Sequence, residues 1–327
     1  MEALIMQKRT VKWILGVSAA ALFAFTTVVM VNAGPCTKTF GQLPAPKFTP
    51  YLKSLIKTGN VYDLGVVRSY DMPLWPGHPP FRVLNYKYHG EDMALKPATY
   101  ANDLIMTCMH AGTHIDALNH LGELQADGSI KIGTGDVNHP TTTAAAAKEW
   151  WGMNVGDGSQ FPPIILRGVL LDMLKYKGGE DTGGQVTMKR AYGITAEDIK
   201  GCMEAQGVEV KPDVPTAFLI HTGQIKYFLA KDGANYGGDV AGPNLEAEKY
   251  MVSIGGVVTG SDTVSYEQML VLDHPVHRWM MFNGIFMNEV LNLEDLAEDG
   301  VYEGVYIALP LKIKGSTGSL IDPIFIN

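Results

Sequence analysis

The sequence predicts a single α/β domain with a mixed β-sheet core and flanking helices. Apolar runs of strand type, such as PPIILRGVLLDML at 162–174 and TAFLIHTG at 216–223, recur between turn residues. Helix start and stop signals occur at only about four places. Strands and helices do not alternate regularly, which favours a mixed sheet over a purely parallel one.

In chain order, VYDLGV at 61–66 reads as a strand and Trp75-Pro76-Gly77 as a turn. FRVLNYKY at 81–88 alternates as a strand does, and DLIMTCM at 103–109 reads as a buried strand. TTTAAAAKEWW at 141–151 has helical composition, with Trp150 and Trp151 expected in the core or at a subunit interface. Thr195 caps a helix, with Asp198 three residues on and Gly207 as the stop. Asn244 caps another through about Ser253, and GGVVTGSD at 255–262 is a strand. Asp273 and Pro275 open a helix that ends at Asn283-Gly284. Strands follow at 285–290, 305–313 and 320–327. No internal repeat is present.

Lys8, Arg9 and Lys12 precede an apolar run, Trp13 to Val31, that ends in Val31-Asn32-Ala33. That order of basic, apolar and small residues predicts a signal peptide over 1–33, with an uncleaved membrane anchor as the alternative. Residues 34–60 then form an N-terminal extension and 61–327 the domain. The expected location is periplasmic or secreted, with no membrane contact after cleavage. The chain carries 26 Lys+Arg against 34 Asp+Glu, a net charge of −8. Three of those basic residues lie in the first 33, so the body is more acidic still. This argues against nucleic acid as a partner and leaves a small-molecule substrate open. Cys36, Cys108 and Cys202 allow one disulfide at most and show no metal-binding spacing.

Chemistry concentrates in HAGTHIDALNH, 110–120, which holds three of the nine histidines. On an extended segment His114 and Asp116, at i and i+2, share a face. Gly112 lets the chain bend so that His110 can reach the same point. Two imidazoles and a carboxylate form a three-ligand set with positions open for water or substrate, as a catalytic metal requires. A divalent ion there would lower the pKa of bound water and polarise a carbonyl. His120 would be the general acid/base. Trp75 is a candidate to pack against an aromatic substrate, and Phe81 is expected in the core. His78, His89 and His139 sit in polar or Pro/Gly contexts and are expected to be exposed. No Gly-x-Ser-x-Gly supports a serine nucleophile.

The stretch His110-Ala-Gly112-Thr-His114-Ile-Asp116-Ala-Leu-Asn-His120 resembles the signature of the metal-dependent cyclase-type hydrolases, a family that includes bacterial kynurenine formamidase and isatin hydrolase. The resemblance extends to Asp63-Leu64, Trp75-Pro76-Gly77, Arg167 to Asp172, Thr222-Gly223 and Gly260-Ser261-Asp262-Thr263. Leu118 and the tail around Gly315 to Ser319 lean toward the longer, isatin-hydrolase-like branch. The resemblance implies a swivelling β/β/α fold, a homo-oligomer, and Mn2+ or Zn2+ as one ion or two. It assigns His110, His114 and Asp116 to the metal and His120 to acid/base catalysis. His277 and Glu289, twelve residues apart, match a second metal site in the dinuclear members, bridged by Asp116; His274 is an alternative. Where the family often has Arg-Thr-Gly-Trp, this chain has His221-Thr222-Gly223-Gln224, which makes Gln224 a candidate to face the substrate. The expected activity is opening of an isatin-like cyclic amide by metal-bound water. Arylformamidase and lactone or ester hydrolysis are alternatives, and so is an exported metal-binding module without turnover.

Overall fold

The computed structural model describes residues 35–91, 96–134, 141–142, 155–269 and 273–327. The predicted signal peptide, His139, Trp150-Trp151 and most of the predicted helix at 141–151 lie outside these. Internal contacts separate Met1–Cys36, almost wholly outside the described residues, from Thr37–Asn327, which is the body considered below. Among the described residues no helix is long and apolar enough to cross a membrane.

A nine-stranded mixed sheet organises the body. Its strands are β1 (Val61–Asp63), β2 (His114–Asp116), β3 (Ile164–Asp172), β4 (Thr216–His221), β5 (Gly256–Ser261), β6 (Phe286–Glu289), β7 (Glu303–Ala308), β8 (Gly318–Leu320) and β9 (Ile324–Ile326). They run β1-β9-β7-β3-β4-β5-β6-β2-β8 across the sheet. The central four, β3 to β6, are parallel, and every outer pairing is antiparallel. Parallel strands need both faces covered, which explains why β3 and β4 read as largely apolar runs, with Arg167 a charged exception. Their odd and even residues divide between two cores. Val169, Leu171, Phe218 and Ile220 pack under α1 (Ala196–Gln206), α2 (Leu245–Ser253) and α3 (Pro275–Phe282). Leu166, Leu170, Ala217 and Leu219 face a second core that includes Phe161, Phe286, Tyr306 and Phe325. Phe40 and Leu43 of the N-terminal extension enter this core too.

The predicted helix ends hold. Thr195 and Asp198 form a reciprocal capping box, and Gly207 closes α1 in the left-handed region. Asn244 accepts from Ala247 N at the start of α2. Short helices at Pro50–Ser54, Met173–Lys177, Ile225–Leu229, Gly233–Tyr236 and Glu294–Glu298 were not foreseen, being too brief to carry a period. Thr141 and Thr142, expected to be helical, pair as strand with the segment Ile130–Ile132. The α3 N-cap is His274, not Asp273. A further correction concerns the apolar run at 103–109. Asn102–Met106 is a strand, but among the described residues it pairs only with Arg82–Lys87, and all five of its residues are exposed. An apolar run encodes a need for cover without naming what supplies it. The three cysteines are free thiols.

Close packing is tight where β3 and β7 cross Phe325. Gly168 and Gly304 are paired in register, and a Cβ at either would be driven into the Phe325 ring. Overpacking of this kind costs about 1–3 kcal/mol. Gly168→Ala should therefore lower stability by about that amount in chemical denaturation, and Phe325→Leu in the same chain should recover part of it. An unchanged midpoint for the single variant would contradict this packing.

Candidate metal centre

The cluster is assembled by strand register. In the antiparallel β2–β6 ladder Glu289 stands directly opposite His114, and directly opposed residues share a face. His114 and Asp116 share that face by their i, i+2 spacing, as predicted. On the other edge of β2, Gly318 of β8 is opposite Asp116. The absent side chain leaves room for His110: a Cβ on Gly318 would stand 2.8 Å from His110 Cε1. Gly112, at φ +67, makes the bend that returns His110 to the strand end. α3 packs over β6 through Val276, Met280, Met281 and Met287, and His277, one helical turn before Met280 and Met281, lies over Glu289.

All five predicted ligands therefore meet. His110 Nδ1 is 2.8 Å from Asp116 Oδ1, and its Nε2 is 2.9 Å from Thr317 Oγ1. His114 Nε2 lies 3.4 Å from Asp116 Oδ1 and 3.3 Å from Glu289 Oε2. His277 Nε2 is 3.2 Å from Glu289 Oε1, which also accepts from Tyr266 N at 2.8 Å. Ligand-type atoms fall into two adjoining groups, His110–Asp116–His120 and Asp116–His277–Glu289, that share Asp116. His120 stacks on His110 with ring centroids 3.8 Å apart, and its Nε2 is 3.9 Å from Asp116 Oδ2.

The donor set fits a divalent cation. His114 Nδ1 donates to Gly112 O at 2.7 Å, which directs Nε2 at two carboxylates. A bare lone pair facing two anions is repelled, so either a proton or a cation must stand between them. Neither His114 Nε2 nor Asp116 Oδ2 has a hydrogen-bond partner, though both are buried, and such atoms call for an explanation. Without an ion a proton serves. Burial opposes charge on His114, but the negative charge of the adjacent Asp116 and Glu289 carboxylates prevails and raises its pKa to about 10. His277 is likewise disfavoured by burial yet raised to about 10 by Glu267 and Glu289. Burial would push both Asp116 and Glu289 up, but the surrounding imidazoles hold them low. His120 differs: loss of water around it pushes its pKa down to about 3, so it is neutral at pH 7.

Glu267 was missed by sequence reading. Its carboxylate accepts from Val276 N at 2.9 Å, His277 N at 3.2 Å and His277 Nδ1, and lies 3.3 Å from His274 Nδ1. Burial resists its charge, and the two histidines overcome that. It serves as the N-terminal anion of α3, whose own cap residue supplies no side-chain bond. The same contacts orient His277 toward Glu289. No local spacing links residue 267 to 277, so only the fold reveals the pair. Two strained residues flank the cluster, His274 at φ 47 and the β-branched Val290 at φ 58. Val290 is pinned by its N–H to Thr263 O and by Thr113 Oγ1 donating to its carbonyl.

A cavity of about 210 Å³ opens beside the cluster, lined by His110, His120, His277 and Glu289 together with Trp75, His78, Ser265 and His274. Trp75 is thus where it was expected. His78 was expected to be exposed; instead it is half-buried, with Nδ1 shielded and unpartnered. His89 is exposed, and Phe81 is core, as predicted. Gln224 is buried with both amide atoms unpartnered and is not among the cavity-lining residues. His221, its neighbour in the chain, is held between Asp172 at 2.9 Å and Glu294 at 3.0 Å.

Metal ligands must be deprotonated imidazoles, and His114 and His277 hold protons at pH 7 in the ion-free protein. Loading Mn2+ or Zn2+ at pH 7 should then release about two protons, seen in calorimetry as an enthalpy that varies with buffer ionisation heat. Apparent affinity should rise as pH climbs from 7 toward 10. An enthalpy independent of buffer would contradict the proton-for-cation exchange.

Comparison with known proteins agrees with this fold. Among solved structures, a novel cyclase matches with TM-score 0.70 and 23% identity over 86% of this chain and 92% of its own. Isatin hydrolase A from Ralstonia solanacearum matches with TM-score 0.57 and 17% identity over 82% and 92%. An isatin hydrolase bound to the product analogue thioisatinate matches with TM-score 0.57 and 21% identity over 84% and 93%. At these identities the likeness establishes the fold. Among curated proteins the sequence finds no match. The Cyclase family model matches residues 62–268, a span that includes the 110–120 motif and stops short of His277. With that match over more than half its length, the chain belongs to the cyclase family.

Proposed function

We propose that this protein is a metal-dependent hydrolase that opens an isatin-like cyclic amide. The observation that carries the reading is the pair of buried, unpartnered atoms, His114 Nε2 and Asp116 Oδ2, in a cluster of five ligand-type side chains beside a cavity. His110, His114 and Asp116 would hold one ion, and His277 and Glu289 with Asp116 a second. A divalent ion there supplies Lewis acidity toward a carbonyl and makes water a better nucleophile near neutral pH. The reading is supported by family membership and by the isatin hydrolases that share the fold, which make isatin the first substrate to try.

The chain's own residues account for the proton traffic. His120 lines the cavity and is neutral at pH 7, so it can accept a proton from water as the water adds to the amide carbonyl. As the C–N bond breaks, the imidazolium returns that proton to the departing nitrogen. Net, one water is consumed and an amine, a carboxylate and a proton released to solvent are produced. Asp116, 3.9 Å from His120, steadies the imidazolium while the proton is held. Thr317 fixes the His110 ring on which His120 stacks.

His120→Ala should reduce kcat for isatin by about 10²–10⁴-fold, with metal content by elemental analysis unchanged. His114→Ala should lose the metal itself. Wild-type protein that binds metal yet turns over no cyclic amide, formamide, lactone or ester would leave a metal-binding module instead.

A further inference from the structure

Arg167 breaks the apolar run of β3 and is fully buried. A buried guanidinium carries five N–H groups that need acceptors. Nε donates to Glu303 Oε1 at 2.7 Å, and Nη2 donates to Glu209 O at 2.8 Å. Nη1 has no hydrogen-bond partner among the described residues. A shielded donor left in this way calls for an explanation.

A cavity of about 440 Å³ lies against this arginine. The N-terminal extension supplies one wall with Ala45 and Leu52, β3 a second with Ile165 and Arg167, and the turn ahead of β4 a third with Val214 and Pro215. The volume falls within the roughly 300–1,000 Å³ of small-molecule sites, and mainly apolar walls around a fixed polar group are usual for them. Lys47 and Asp213 also line the cavity, but both are exposed, of opposite sign and screened by water. Glu303, the partner of Nε, is not among the lining residues. Arg167 is therefore the charge that a ligand meets inside.

This cavity is remote from the metal cluster. Arg167 is paired with Thr216 at the start of β4, whereas Glu289 ends the parallel strand β6. The two cavities share no lining residue. An inference drawn here does not rest on the hydrolase reading.

An unpaired donor calls for an acceptor, and a donor on a cation binds an anionic acceptor most strongly. Apolar walls call for an apolar body on the same ligand. We propose that the cavity between the N-terminal extension and β3 is a second ligand site, which takes an apolar monocarboxylate of medium chain length with its carboxylate on Arg167 Nη1. A dicarboxylate or a sugar acid is excluded by the apolar walls, and an amine by the arginine.

Octanoate, octanamide and octylamine share one chain and differ in the head group. Each is titrated by calorimetry into the manganese-loaded protein. Octanoate should bind at a single site per chain, octanamide about tenfold more weakly, and octylamine not measurably. Ala45→Trp fills the cavity from a half-buried wall position and should abolish octanoate binding with the melting temperature retained. His114→Ala, which removes the metal, should bind octanoate within about twofold of wild type. Arg167→Lys keeps a buried cation but loses the second nitrogen edge, and should bring octanoate down to the level of octanamide. Should that variant fail to fold, the head-group series and Ala45→Trp decide the matter. The proposal is overturned if octanoate does not bind, if the three head groups bind alike, if Ala45→Trp leaves binding intact, or if His114→Ala loses it, which would put the carboxylate on the metal.

Discussion

Two carboxylates, Asp116 and Glu289, lie buried against one another's imidazole partners at the end of the sheet, and the charge of each raises the cost of the other. Anions taken out of water in this way persist only with positive charge between them. Everything distinctive about this end of the molecule follows from that requirement. The histidines take up protons against the pull of burial, or they yield that place to a cation. The sheet register, the bend at Gly112 and the missing side chain at Gly318 are the means by which the fold brings the groups together. Because β2 is paired on both edges, by β6 and by β8, the cluster rests on sheet hydrogen bonds rather than on a loop.

The helical layer contributes the rest. α3 lies over β6 and delivers His277, and Glu267 both anchors the helix start and turns the ring. An outer carboxylate thereby fixes the tautomer and aim of the His277 imidazole. His120 sits one step away, free of such a partner, and stays neutral. The same cleft thus holds imidazoles charged by their carboxylate neighbours beside one that stays neutral, a difference set by neighbours and not by residue type.

How much of this could be read from the sequence depended on distance along the chain. His110, His114, Asp116 and His120 lie within eleven residues, so strand periodicity and one glycine were enough to place them. β3 and β4 declared themselves as strands by their largely apolar runs, and α1 by its capping box. His277 and Glu289 came from the family resemblance, and the register of β2 with β6 supplies their physical reason. Glu267 was invisible because its partners are joined to it only by folding. His78 was misjudged because proline and glycine neighbours look like a surface turn, and here the turn faces a cavity. The exposed strand at Asn102–Met106 marks another boundary of sequence reading: hydrophobicity predicts cover, and a single chain does not provide it.

The account stands on a cation placed between His114 Nε2 and the oxygens of Asp116 and Glu289. Anomalous diffraction from crystals grown with Mn2+ or Zn2+ locates such an ion directly. The account predicts a peak at coordination distance, about 2.0–2.3 Å, from His114 Nε2 and from an oxygen of Asp116. A protein saturated with metal whose peaks lie elsewhere, with His114 Nε2 still facing only the carboxylates, would contradict it.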